Sequence, residues 1–362
     1  LSGIKMKKYK HDVIRSFVCS LLEGYGVPAK KAQITSDVLV ETDLRGIFSH
    51  GINLLDIMIV PSLIAGGIIP DAVAEDQTRN PDYPIRHIDA HGDMGYSVAM
   101  GAVSQVKTLA ANHGYGKAYV FNANHFGAAG IYSETICQEK NLSGRVTCTT
   151  PSFVKPYAGK KNRLGTNLIS WSIPYDRGIV TIDMATTIHA VSGIIKALVE
   201  GAPLPFPVYD RNIQQTSDPA AFKDLFDFLN QGSMIPLGGL GEGGADAGYK
   251  GSGLAILVEL DSVIGGGVSG FVSPLAFDKE RWVRQTFEAW RIDTLFPAEP
   301  SLQKISETVR NIRKDQGHEM LLPGEKEAKN REKSLREGIP YTEKQIFRLE
   351  KMGQAVGLGN VS

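Results

Sequence analysis

Three stretches of this 362-residue chain carry side chains that could hold or move a proton. The first is Asn122-Ala-Asn-His125-Phe-Gly-Ala-Ala-Gly-Ile-Tyr132-Ser, which follows the short β-type run Lys117-Ala-Tyr-Val-Phe121. A histidine where a strand turns into a Gly/Ala-rich segment is free to face a cleft. The small neighbours let a flat group come close to the backbone. The same His125 would also serve as a satisfied corner residue. The second stretch, Ser49-His50-Gly51, follows a helix that ends in Asp43-Leu-Arg45-Gly46. A hydroxyl beside an imidazole can make it a polarised proton donor, and a histidine capping a helix C-terminus accounts for the pair as well. The third, Asp183-Met-Ala-Thr-Thr187, ends a β-run with an acid that could cap a helix or partner a histidine or a ribose.

Other patterns carry less. His87, Asp89, His91 and Asp93 alternate, so a strand would present all four on one face, as metal ligands might stand. Gly92 and the surrounding polar turns read instead as a solvated edge strand, and nothing nearby completes a tetrahedral set, so no metal is expected. Gly239-Leu-Gly241-Glu-Gly-Gly244 is a literal G-x-G-x-x-G with Glu259 and Asp261 downstream. A dinucleotide fingerprint needs a strand running straight into it and a helix opening from it. Here Gln231-Gly-Ser precedes and Ala-Asp-Ala-Gly follows, so the fingerprint is rejected. The block reads as a glycine loop with Lys250 at a helix N-terminus, a place to hold phosphate, or else as a plain surface loop. Pro323-Gly-Glu325 is an ordinary turn by itself.

The elements that must position these residues follow from periodicity. Helices are expected at 8–23, at 28–45 starting on Pro28, and over 53–65 before Gly66-Gly67. An amphipathic helix over 97–111 stops at Asn112-His-Gly114. The middle alternates short β-runs (117–121, 144–150, 168–174, 178–183) with Gly/Pro/Asn turns, interrupted by helices at 188–200 and 253–264. Beyond 277 the chain turns charged and helical, at 299–316, 325–337 and 342–354. Helices at both ends around a β-rich middle suggest one lobe built from the two termini.

Composition excludes several classes. Lys+Arg equals Asp+Glu at 39 each with no long block of one sign, which argues against nucleic-acid or membrane-surface partners. At 42% hydrophobic the chain can bury a large core, in about two domains. Cys19, Cys137 and Cys148 form no CxxC and read as reduced thiols of a cytoplasmic protein. The apolar run 13–22 is broken by Arg15 and followed by Glu23, so it reads as a helix and not a signal peptide. The apolar stretch 54–69 contains Asp56, Pro61 and two glycines and does not span a membrane.

Taken together and in order, the motifs resemble the type 2 malate/L-lactate dehydrogenase family, which also contains ureidoglycolate, sulfolactate and diketogulonate oxidoreductases. The matching stretches are Asp43-Leu-Arg-Gly-Ile-Phe-Ser-His-Gly51, Asn124-His-Phe-Gly-Ala-Ala-Gly130, Gly165-Thr-Asn167 with Pro174, and Asp183-Met-Ala-Thr186. Pro236-Leu-Gly-Gly239, Gly248-Tyr-Lys-Gly251 and Pro323-Gly-Glu325 complete a set spanning about residues 10 to 357. The resemblance implies an α/β (α+β) chain with a non-Rossmann NAD(P)-binding domain, residues 76–284. Its mainly antiparallel sheet would be inserted into a helical lobe of residues 6–75 plus 285–362. It also implies a homodimer.

By the same resemblance, His125 and His50 both match histidines assigned as acid/base, with Ser49 and Asp183 as a relay to His50. Both assignments stay open at this point. Asp183, Met184, Ala185, Gly238, Gly239, Lys250, Gly324 and Glu325 match positions lining the coenzyme site, and Thr149 joins them on spacing. The implied reaction is hydride transfer between NAD(P), with NAD favoured, and a small 2-hydroxy acid while a base takes the hydroxyl proton. Relatives usually carry an arginine four residues after the His-Gly histidine, where this chain has Leu54, and Met58 stands where an aromatic residue is common. Losing a bidentate carboxylate fork costs about 2–5 kcal/mol in a site built around it. Either another cation supplies the charge (Lys155, Lys160, Lys161 or Arg163), or the substrate differs. The extended glycine loop looks most like that of malate-using members, so malate/oxaloacetate is the first expectation. Another 2-oxo acid, a cyclic imino acid, or a coenzyme-binding relative without catalysis are the alternatives.

Overall fold

The computed structural model describes residues 6–139, 141–200, 203–239, 247–265, 283–317 and 320–361. Strand β1 (Met6–Tyr9) leads into helices α1 (His11–Gly24) and α2 (Ala29–Leu44). Ile14, Val18, Leu21 and Leu22 recur at helical spacing and bury one face of α1. The single helix expected over 53–65 is two pieces, a π-helical turn at Leu55–Ile59 and the short α3 (Val60–Ile64). Pro61 has no N–H to give, and the Val60 amide reaches back to the Leu55 carbonyl in the wide π register.

Next come β2 (Glu75–Asp76), β3 (Ile85–Asp89), α4 (Gly95–His113), β4 (Tyr115–Ala123), α5 (Ala129–Cys137) and β5 (Leu142–Cys148). The chain continues with β6 (Leu168–Tyr175), β7 (Gly178–Met184), α6 (Val191–Glu200), β8 (Val208–Tyr209), β9 (Gln215–Thr216) and α7 (Leu225–Gln231). It closes with α8 (Gly248–Ile264), β10 (Val283–Arg291), α9 (Ala298–Arg313), α10 (Glu325–Glu337), β11 (Ile339–Thr342) and α11 (Glu343–Ala355). Helix α8 begins five residues before the expected 253, so Lys250 sits inside its first turn. The Gly239–Gly244 block runs on into residues 240–246, which lie outside the described residues.

A seven-stranded sheet has the order β2-β3-β4-β10-β5-β6-β7. Its neighbours pair antiparallel except β3 and β4, which run parallel. Strand β10, which the sequence reading did not predict, fills the centre between β4 and β5. The expected domain boundary at 284/285 falls inside this strand. Helix α4 lies against β4 and β10, and its first residue, Gly95, rests on the corner after β4. A Cβ there would stand 2.3 Å from the carbonyl oxygens of Asn124 and His125. At the ends of the chain, β1 and β11 form an antiparallel ribbon from Met6 opposite Thr342 to Tyr9 opposite Ile339. One large core joins α1, α2, α4 and α5 to the sheet and to this ribbon, and a second, around Val154, Ile194 and Phe228, sits beneath α6 and α7.

Among the described residues no helix is long and apolar enough to cross a membrane, and the three cysteines are free thiols.

Candidate active site

A cavity of about 950 Å³ opens where three parts of the chain meet. One wall is the segment 45–68; the second is the corner 124–131 between β4 and α5. The third combines the residues after β5 with the end of β7, and Pro323, Gly324 and Glu327 close it from the start of α10. Both candidate histidines line it, their rings stacked with centroids 5.7 Å apart and an interplanar angle of 21°.

The loop carrying Ser49 and His50 is pinned from below by Asp43, at the end of α2. Asp43 is fully buried; its Oδ2 accepts the Ile52 N–H at 3.0 Å and the Tyr341 hydroxyl at 2.8 Å. Gly51 packs so closely on this carboxyl that a Cβ would stand 1.8 Å from Oδ1. Burial pushes the Asp43 pKa up to about 7. Within the loop, Asn53 donates to the Phe48 carbonyl at 2.8 Å, and Gln345 of α11 donates to Asn53 at 3.2 Å. His50 Nδ1 lies 2.8 Å from Ser49 Oγ, a hydroxyl that can donate or accept. Burial lowers the His50 pKa to about 4.

The corner holding His125 is fixed by Asn124. Its Nδ2 donates to the carbonyls of Gly67, Gly92 and Asp93 at 2.7–3.1 Å, while Gln285 of β10 donates to its own carbonyl at 2.8 Å. The central strand that sequence missed thus supports the corner directly. His125 Nδ1 accepts the Gly127 amide N–H at 3.1 Å, which places a lone pair on Nδ1 and the ring proton on Nε2. At the start of α5, the Gly130 amide donates to Asp183 Oδ2 at 2.8 Å. Burial raises the Asp183 pKa to about 6. The expected relay partner of Ser49 therefore bonds to α5, and no hydrogen bond joins Ser49 to Asp183 among the described residues.

Thr149, Asp183, Met184, Ala185 and Gly324 all line the cavity. Thr149 accepts the Arg284 amide at 3.0 Å, again tying the wall to β10. Glu325, Gly238, Gly239 and Lys250 do not line it. Glu325 is occupied by Arg313 and the Leu322 amide, and Lys250 lies over the Tyr249 ring. Sequence reasoning passed over three charged lining residues, Arg45, Glu134 and Glu327. Arg45 stood in a quoted motif, and its pairing could not be foreseen: Nε meets Glu41 at 3.0 Å and Nη1 meets Glu134 at 2.6 Å. Nor does a metal set form from the alternating residues. His87 stacks on Phe121, Asp89 accepts from Asn122, Asp93 pairs with Lys31, and no group of three ligating residues occurs among the described residues.

Comparison with known proteins returns one consistent answer. A family model described as malate/L-lactate dehydrogenase matches residues 9–350. L-sulfolactate dehydrogenase of Methanocaldococcus jannaschii is 31% identical over 95% of this chain and 96% of its own length. Malate dehydrogenase of Pyrococcus abyssi is 29% identical over 96% of this chain and 94% of its own. The solved malate dehydrogenase of Pyrococcus horikoshii superimposes with a TM-score of 0.86 at 26% identity, covering 99% of both chains.

Proposed function

The chain belongs to the malate/L-lactate dehydrogenase family, and from that premise we propose that it interconverts a 2-hydroxy acid and its 2-oxo acid, with His50 moving the proton and His125 steadying the reacting oxygen. The supporting observation is the contrast between the two Nδ1 partners. The Gly127 amide that meets His125 Nδ1 can only donate, so protonating that nitrogen would set N–H against N–H. A neutral His125 with its proton on Nε2 can donate a hydrogen bond but is held back from accepting a proton there. Ser49 Oγ, by contrast, can donate to or accept from His50 Nδ1, so both tautomers and the imidazolium keep their partner. His50 is the ring able to cycle.

The cavity is at the upper end of the size range of small-molecule and cofactor sites. The corner Gly127-Ala-Ala-Gly130 offers a wall on which a flat ring can lie close to the backbone. Thr149 and Asp183-Met-Ala185 are the residues to hold a nicotinamide coenzyme, which supplies or receives the hydride at C2. The acidic lining residues Asp183 and Glu327 favour NAD over a coenzyme bearing a further phosphate.

In the free protein His50 is neutral at pH 7, a base ready for the hydroxyl proton when the 2-hydroxy acid is oxidised. In reduction the substrate carboxylate beside the ring favours the imidazolium, which then delivers its proton to the carbonyl oxygen. An apolar stripe on α8, Ile256, Leu257, Leu260 and Ile264, is exposed and supports assembly as a homodimer.

The test compares His50→Gln and His125→Asn in reduction of a 2-oxo acid. His50→Gln should lower kcat about 10²–10⁴-fold and erase the fall in rate as pH rises. His125→Asn should weaken turnover while keeping that fall. A wild-type pH profile in His50→Gln, with its loss in His125→Asn, reverses the two roles.

A further inference from the structure

Beside Ser49 and His50 the cavity wall formed by residues 47–68 is mostly hydrocarbon: Ile47, Leu54, Ile57, Met58, Ile59 and Ile68 line it, with Ser62 its one other polar side chain and no charged one. Leu54, Ile57 and Met58 share one face at i, i+3, i+4 spacing, and Ile59, at the end of the π-helical turn, joins them in the lining. Among the described lining residues Arg45 is the one Lys or Arg, and its guanidinium is committed to Glu41 and Glu134. Lys155, a cation offered by the sequence as a substitute, is buried but does not line the cavity, and neither do Lys160, Lys161 or Arg163.

Resting on the 2-oxo acid reading above, we infer that the substrate is a monocarboxylic 2-oxo acid with a hydrocarbon tail, its tail lying against the 47–68 wall. The carboxylate at C1 has the N-terminus of α5, where Ala128 and Ala129 line the cavity, to meet it. A second anionic group, as in malate or sulfolactate, would be set against this wall with no cation among the described lining residues to receive it. A buried charge without a partner is strongly disfavoured. A hydrocarbon tail gains affinity there, about fourfold per buried methylene. This departs from malate, the first expectation from sequence.

The full-length protein should be assayed for NADH and NADPH oxidation with pyruvate, 4-methyl-2-oxopentanoate, phenylpyruvate and oxaloacetate. Preference by kcat/KM for 4-methyl-2-oxopentanoate or phenylpyruvate, at least about tenfold over pyruvate and more over oxaloacetate, is the expected result. Leu54→Arg should then raise kcat/KM for oxaloacetate at least about tenfold and lower it for the branched acid. Oxaloacetate as the best substrate of the unaltered protein overturns the inference whatever the variant does, while leaving the 2-oxo acid reading intact. Oxidation of neither coenzyme with any of the four acids refutes that underlying reading, and the tail assignment falls with it.

Discussion

Replacing Asp43 by asparagine should change the stability of this protein in a way that depends on pH. The folded carboxyl titrates at about 7 because it is fully buried, with two donors on Oδ2 and none on Oδ1 among the described residues. Its ordinary value is 3.8. The folded state therefore binds this proton more tightly than the unfolded state. The group costs nothing below the unfolded pKa, and its penalty grows as pH rises from about 4 to 7 and then levels off. The full shift of about 3 pK units corresponds to roughly 4 kcal/mol, and the part falling between pH 5 and pH 8 to roughly 2.5 kcal/mol. The asparagine would keep an oxygen for Ile52 and Tyr341 but turn an unpartnered amide toward Gly51, at a pH-independent cost of about 1–3 kcal/mol. Urea unfolding at fixed protein concentration should thus find the stability of Asp43→Asn relative to the unaltered protein rising by roughly 2.5 kcal/mol from pH 5 to pH 8, with the two close at pH 5 and the asparagine variant the more stable at pH 8. Other titrating groups such as Asp183 and His50 cancel in the difference. Parallel stability curves for the two proteins across this range would refute the argument, because the carboxyl would then feel no burial.

Two further outcomes follow from packing. Gly95→Ala drives a methyl into the Asn124 and His125 carbonyls and should cost about 1–3 kcal/mol of stability, with a loss of turnover because the His125 corner must shift; thermal unfolding and kcat measured on one preparation check both, and an unchanged kcat in a destabilised protein would separate corner from catalysis. Sedimentation velocity should find a dimer that Leu260→Glu converts to monomer through the exposed α8 stripe, and a dimer unaffected by that change places the contact elsewhere.

Much of the site was legible because its residues sit at local punctuation. His50 directly precedes Gly51, His125 lies just past the end of β4 and two residues before Gly127, and Asp183 lies at the end of a β-run. What stayed hidden depended on pairing across the sheet. Strand β10 reads Val-Arg-Gln-Thr-Phe-Glu-Ala-Trp-Arg, too charged for a buried strand by composition, yet it is buried along most of its length. Its charges are neutralised by partners far away: Arg284 by Glu259, and Glu288 by Arg145 and Lys117. Periodicity sees the ions and not their partners. The same blindness hid Arg45, Glu134 and Glu327, whose place in the cavity follows from the docking of α2, α5 and α10. For Lys250 and Glu325 motif position suggested the coenzyme site, and local contacts took them elsewhere.

The position of His50 is a property of the C-terminal ribbon and helix as much as of its own loop. Tyr341 reaches Asp43 beneath the loop, Gln345 holds Asn53, and Arg348 pairs with Asp56 of the π-helical turn at 2.9 Å. The outer contacts are partly solvated and each is worth little. The Asp43–Tyr341 bond is fully buried, so removing the hydroxyl would leave a carboxyl with a single donor in an apolar surround. These tethers cross nearly three hundred residues of sequence, so the final geometry of the loop depends on the β1–β11 ribbon that places Tyr341 beneath it. The stacking of His50 on His125 is then a long-range consequence of folding, and a chain in which the terminal ribbon is loosened should lose the proton-transfer geometry before it loses the sheet that holds the coenzyme wall.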